Sequence, residues 1–157
     1  MNAEEETRKH IGIVKHFLFE IIEKLKERAD NHDYSKLESP ESEAFEEFTP
    51  KLRGTTYGTE EYQKLLDQLK PALEHHYANN PHHPEYWEGG VNDMTIVDIV
   101  ELLCDWKSAT LRHADGDIMK SIDINEERFG LSPQLAGILR NSVRSFGWDN
   151  REIPEGH

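Results

Sequence analysis

One cysteine, Cys104, stands in 157 residues, which excludes a disulfide framework and a cysteine-ligated zinc site. Positive charge is scarce too. The 18 lysines and arginines face 31 aspartates and glutamates, for a formal net charge of −13. Such a surface repels phosphate backbones and anionic lipid headgroups, so neither duplex nucleic acid nor a membrane is the expected partner. No apolar run approaches the roughly 20 residues of a bilayer span. The opening "MNAEEETRKH" is acidic where a signal peptide would be apolar. These absences point to a cytoplasmic protein. Also missing are a Ser-His-Asp spacing, a phosphate-cradling glycine loop and a dinucleotide fingerprint.

What is present is helical periodicity. The mean hydropathy of −0.79 would suit a disordered chain, but Ile11, Val14, Phe17, Leu18, Ile21, Ile22 and Leu25 recur at helical spacing and predict a helix from about Glu4 to Ala29. Ser39-Pro40-Glu41 reads as the start of a second helix, with proline at its first helical position. "TPKLRGTTYGT" reads as a loop. A third helix is expected from Thr59 through "EEYQKLLDQLKPALEHHY", with Pro71 marking a kink or junction. "ANNPHHPEYWEGGVNDM" is irregular. "TIVDIVELLCDWKSATLRH" is the most apolar helix, and two more follow, the last opened by Ser132-Pro133. With no strand pattern, repeat or low-complexity tract, the expected fold is all-α. It is a single-domain bundle of about five to seven helices over residues 1–148, with 149–157 a frayed tail.

Helical facing sorts the histidines. At about 100° per residue, His10 falls within the arc of Val14, Phe17 and Ile21 and is expected to face the core. His16 falls with Glu20, Glu23 and Glu27 and faces water. His76 aligns with Leu65, Leu69, Ala72 and Leu73, whereas His75 is rotated away. The Thr95 helix is apolar around most of its circumference except for one stripe of Asp98, Glu101, Asp105, Ser108 and Arg112. That stripe is either a solvated strip or a wall of an internal polar site, where buried carboxylates must be paired or metal-bound. "NHDYSK" adds the adjacent pair His32-Asp33, whose imidazole and carboxylate suit zinc, iron, nickel and manganese alike. The blander reading of each histidine is a hydrogen-bonded core or turn residue.

In order, the chain offers an H…HD…H…HH…D series. It resembles the HD-domain superfamily of metal-dependent phosphohydrolases, in which a histidine, an adjacent His-Asp pair and a distant aspartate on separate helices hold a divalent metal. Members with two metals insert further histidines, as His76 and His82 or His83 would be here. The pieces "KHIGIV", "HDYSKLESPE", "ALEHHYANNPHHPEYW" and "ELLCDWKSATLRH" are similar to an uncharacterised domain family of bacteria and their phages, over about residues 7 to 146. The resemblance implies a metal set of His10, His32, Asp33, His76, His82, His83 and Asp105, holding one or two ions of Zn, Mn, Fe, Ni or Co. His10 departs from the pattern. Only 22 positions separate it from His32, and an unbroken helix to Ala29 would put roughly 28 Å between His10 and that end. Either the helix bends or ends early, or His10 serves a second site or a core hydrogen bond, so it ranks below His32, Asp33, His76 and Asp105.

The expected function is metal-dependent hydrolysis of a small phosphomonoester or nucleotide. Lys36 and Arg112 are the candidate phosphate holders, and Glu85 is a ligand or general base. Glu101 would orient a ligating imidazole, Asn80 would cap a helix end, and Trp87 and Trp106 would be packing residues that keep water from the site. The rivals are a His/Asp-ligated di-iron centre for oxygen chemistry and a non-enzymatic binding protein with a structural metal. Oligomerisation is left open.

Overall fold

The computed structural model describes residues 2–56, 58–112 and 115–150. They form six α-helices and no strand: α1 (Ala3–Asn31), α2 (Glu41–Arg53), α3 (Glu60–Asn79), α4 (Ile96–Thr110), α5 (Ile118–Phe129) and α6 (Pro133–Ser145). Three short 3-10 turns join them, at Tyr34–Leu37, Pro84–Tyr86 and Gly90–Asp93. The expected all-α bundle is the fold observed. The tail from 151 to 157 and His113 lie outside the described residues.

Caps explain where the helices begin. Asn2, Thr59, Thr95, Asp117 and Ser132 each accept a backbone N–H of the first turn, which fills donors that have no intrahelical partner. At Thr95 the capping box closes with Asp98, three residues on. Two expectations need correction. "TPKLR" is not loop, because α2 runs through Pro50 to Arg53. Nor is Pro71 a junction, because α3 continues past it to Asn79 as one helix. The side chains of both helices bury against each other, and that packing outweighs the single hydrogen bond each proline removes.

The apolar core lies between α4, α5 and α6. Leu102, Leu103 and Trp106 of α4 pack with Ile118, Ile122, Leu131, Ala136, Leu139 and Val143, and Trp106 stacks on Phe129. α2 pairs with α3, and α1 with the opposite side of α4. α4 thus gives its apolar residues to the core and its acidic stripe to α1. That division of one helix positions the polar site.

Candidate metal centre

The site forms where the end of α1, the end of α3 and the middle of α4 meet. α1 runs unbroken to Asn31, and His32 is its C-cap. Asp33 then turns left-handed, with φ 55°, a conformation that Asp tolerates better than most residues. The reversal puts His32 and Asp33 on one side of the turn. α3 supplies His76 one turn before its end. Asn80 caps that end, its Nδ2 donating to the His76 carbonyl at 2.8 Å and to Ser35 Oγ at 2.8 Å. The loop that follows carries His82 and His83 and is pinned by Trp87, whose indole N–H donates to the Pro81 carbonyl at 2.8 Å. α4 supplies Asp105.

Two buried carboxylates orient the imidazoles. Glu41, with no exposed surface, lies 2.8 Å from Nδ1 of His76 through one oxygen and 2.8 Å from Nδ1 of His75 through the other. Glu101 lies 2.8 Å from His32 Nδ1 and 3.2 Å from His82 Nδ1. Its second oxygen takes the Arg28 guanidinium at 2.9 Å, and the same Arg28 nitrogen reaches Asp98 at 2.7 Å. Asp98 is fully buried because both of its oxygens are filled, one by Arg28 and one by the Thr95 cap.

An ionised carboxylate can only accept, so His32, His76 and His82 each donate from Nδ1. Burial would raise the carboxyls of Glu41 and Glu101, but the imidazoles beside each hold both below the usual range, with Arg28 also acting on Glu101. In its neutral form each of these histidines keeps a lone pair on Nε2, and all three Nε2 atoms face Asp33. His76 Nε2 is 3.3 Å and His82 Nε2 3.4 Å from Asp33 Oδ1, yet Asp33 Oδ1 and His82 Nε2 are buried with no hydrogen-bond partner. His76 Nε2 is also 3.0 Å from His83 Nε2. On the other side of the cluster, His32 Nε2 is 3.6 Å from Asp33 Oδ2 and 3.8 Å from Asp105 Oδ1, and His82 Nε2 is 3.8 Å from Asp105 Oδ2.

Electron pairs gathered this closely repel unless a cation sits among them, and unpaired buried polar atoms are costly. The spacings themselves fit a metal. Ligand bonds of about 2.0–2.2 Å at tetrahedral or octahedral angles put neighbouring donor atoms roughly 3.0–3.5 Å apart. The Asp33–His76, Asp33–His82 and His76–His83 edges fall in that range, and the His32–Asp105 and His82–Asp105 edges, at 3.8 Å, are slightly wider. Both groups keep their donor atoms within 4.8 Å of one another. The cluster can hold a metal ion, and the carboxylates on the far side of its histidines match the usual support of ligating imidazoles.

Charge in the site is arranged to keep it ready. Burial opposes ionisation of Asp33, but the neighbouring His76 and the Lys36 ammonium, 2.6 Å away, hold its carboxyl far below the usual range. Burial, reinforced by His82 and His76, lowers His83 to about 3, so it is neutral and available as a ligand. Glu101 raises His32, against the opposing effect of burial.

Not every residue named from the sequence is here. His10 is exposed and lies 22 residues up an unbroken helix from His32, which is roughly 33 Å away. Its expected inward facing is corrected because, among the described residues, no helix covers that part of α1, which has no buried residue. Glu85 is exposed and pairs with Arg128 at 3.2 Å on the surface, away from the cluster. Arg112 is exposed beyond the end of α4. Lys36 is at the cluster but bound to Asp33. Trp106 belongs to the apolar core, not to the site. Glu41 and Arg28 were not read from the sequence as site residues. A glutamate in a helical first turn is ordinarily a surface complement to the dipole. The signal for Glu41 in the sequence was its position eight residues after Asp33.

A cavity of about 370 Å³ opens against this cluster between α1 and α4, lined by Leu25, Ala29, Val100, Cys104 and Ser108, with His32, Glu101 and Asp105 along one wall. Among the described residues no helix is long and apolar enough to cross a membrane. No curated protein and no solved structure matches the chain. The profile of the Family of unknown function (DUF5662) matches residues 1–145, and the chain belongs to that family.

Proposed function

We propose that the protein is an HD-type, metal-dependent hydrolase of a small phosphomonoester or nucleotide. The observation that carries this reading is the convergence of lone-pair nitrogens and carboxylate oxygens at Asp33, including two buried atoms with no partner. Asp33, His76, His82 and His83, with His32 and Asp105, would hold a divalent ion, which would lower the pKa of a coordinated water and polarise a phosphoryl oxygen.

The chain's own residues supply the rest. Glu41 and Glu101 fix the tautomer and aim of the imidazoles. Asp33 presents one oxygen to His76 and His82 and the other to His32, which suits one ion or a carboxylate shared by two. Lys36, beside Asp33, is placed to meet the phosphate charge. The cavity between α1 and α4 would take the organic part of the ester. Arg28, which lines it, is committed to Asp98 and Glu101. A long polyanion therefore finds no basic track, and the −13 net charge repels it.

The test is elemental analysis of untagged protein purified without chelator, followed by phosphate release from a panel of nucleotides and phosphomonoesters. One or two equivalents of transition metal, with release abolished in Asp105→Ala, is the expected result. Protein that takes up no metal on titration overturns the proposal. Coloured protein with two irons per chain and no phosphate release transfers the site to di-iron oxygen chemistry.

A further inference from the structure

Most of α1 stands outside the body of the protein. The helix meets α4 through its last two turns: Arg28 binds Asp98 in the first turn of α4, and His32 approaches Glu101 and Asp105. No residue of α1 is buried. About 20 residues precede Leu25, which is about 30 Å of helix. That arm is not polar. Ile11, Val14, Phe17, Leu18, Ile21 and Ile22 are 58%, 42%, 56%, 55%, 42% and 47% exposed. They share an arc with Leu25 and Ala29, so the stripe that faces α4 at one end of the helix continues into solvent at the other. A helix with such a face draws its stability from packing rather than from propensity.

A matching surface lies on the same chain. Between α4 and α6 a cleft of about 460 Å³ is lined by Met94, Ile96, Ile99, Val100, Ile138 and Phe146, and no residue of the arm lines it. Ile96, Ile138 and Phe146 at its rim are 71%, 60% and 59% exposed. The dimensions agree: Ile11 to Ile22 spans about 17 Å, and the 15-residue α4 about 22 Å. Arm and cleft together expose on the order of 1,000 Å² of apolar surface. That reaches the roughly 800 Å² per partner of a standard interface. A ridge and a groove on one chain satisfy each other in a closed two-fold pair.

We propose that the α1 arm docks in the α4/α6 cleft of a second copy of this chain, forming a two-fold dimer independent of any metal chemistry. The test is sedimentation equilibrium of the full chain. The expected mass is twice 18.2 kDa, and Phe17→Glu on the arm and Ile138→Glu in the cleft should each weaken the dimer about 100-fold. Because Phe17→Glu could instead unravel the arm, a crosslink provides a second reading. Cys104, the chain's single cysteine, is a free thiol that lines the cleft. Leu18→Cys in a Cys104→Ser background, mixed with unaltered chain and treated with a short bis-maleimide, should give a heterodimer joined from arm to cleft. A monomer at tens of micromolar, a dimer indifferent to Ile138→Glu, or arm cysteines that link only to one another would overturn the proposal.

Discussion

The two ends of α1 reverse the usual distribution of side chains in opposite senses. At its N-terminal end, large apolar residues lie in water. At its C-terminal end, Arg28, His32 and Asp33 gather with Asp98 and Glu101, which are withdrawn from it. Neither anomaly is stable alone. The acidic end is balanced within the chain by hydrogen bonds that fill both oxygens of Asp98, Glu101 and Glu41, while Asp33 Oδ1 and His82 Nε2 stay unmatched among the described residues. The apolar end has no such internal balance, and its complement lies on a cleft that the arm does not reach in its own chain. The comparison teaches that charge can be satisfied by a few well-aimed groups nearby. Apolar area needs an equal area of partner surface.

Altering the polar end should produce the largest effects. Asp33→Asn keeps a residue that tolerates the left-handed turn but removes the charge facing both histidine groups. Metal content by elemental analysis should fall from one or two equivalents to near zero, and full retention would show that Asp33 is no ligand. Next comes Arg28→Met, which leaves the buried Asp98 and Glu101 without their cation. Denaturant unfolding should show a loss of about 3 kcal/mol, at the lower end for a broken buried pair because Arg28 is partly exposed. A change below about 0.5 kcal/mol would mean the carboxylates find other partners.

Smaller effects sharpen the distinction between holding a metal and aiming its ligands. Glu101→Gln and Glu41→Gln should each weaken metal affinity about 10- to 100-fold without abolishing binding, as measured by competition with a chelator. Equal loss on Asp33→Asn and Glu101→Gln would erase that distinction. Metal uptake should also depend on pH. Glu101 raises the His32 imidazole above its ordinary 6.5, so protons compete at His32 at a higher pH than for a free histidine. Affinity should therefore decline as pH falls through neutrality, whereas His83, lowered to about 3, contributes no proton to that step. A flat titration between pH 8 and about pH 6 would exclude His32 as a ligand. The smallest effect is expected at the arm. His10→Ala and His16→Ala should leave metal content unchanged, since His10 is remote and His16 pairs only with Glu20 on an exposed face.

The contrast also shows where sequence reasoning reached its limit. Periodicity and turn-forming residues locate the six helices, because both follow from local chemistry, but they make the end of α2 a loop where packing on α3 keeps it helical through Pro50. The acidic stripe of α4 and the inward His76 were legible for the same reason, since a narrow polar strip on an apolar helix has few places to go. Glu101 was legible as a supporting residue one turn from Asp105. Facing arguments failed at His10, because an apolar arc says which residues share a side and not whether anything packs against it. Glu41 escaped notice because its two histidine partners lie 34 and 35 residues away, on another helix. Glu85 and Arg112, plausible by proximity in sequence, proved to lie outside the cluster.

By itself the sequence determined the helices, the acidic surface and the ligand types available, all properties of short segments or of composition. Tertiary structure alone decided which of those ligands meet. The left-handed turn at Asp33, the capped end of α3 and the register of α1 on α4 bring donors from four segments within a few ångströms. Convergence of that kind depends on long-range packing, which no local pattern encodes.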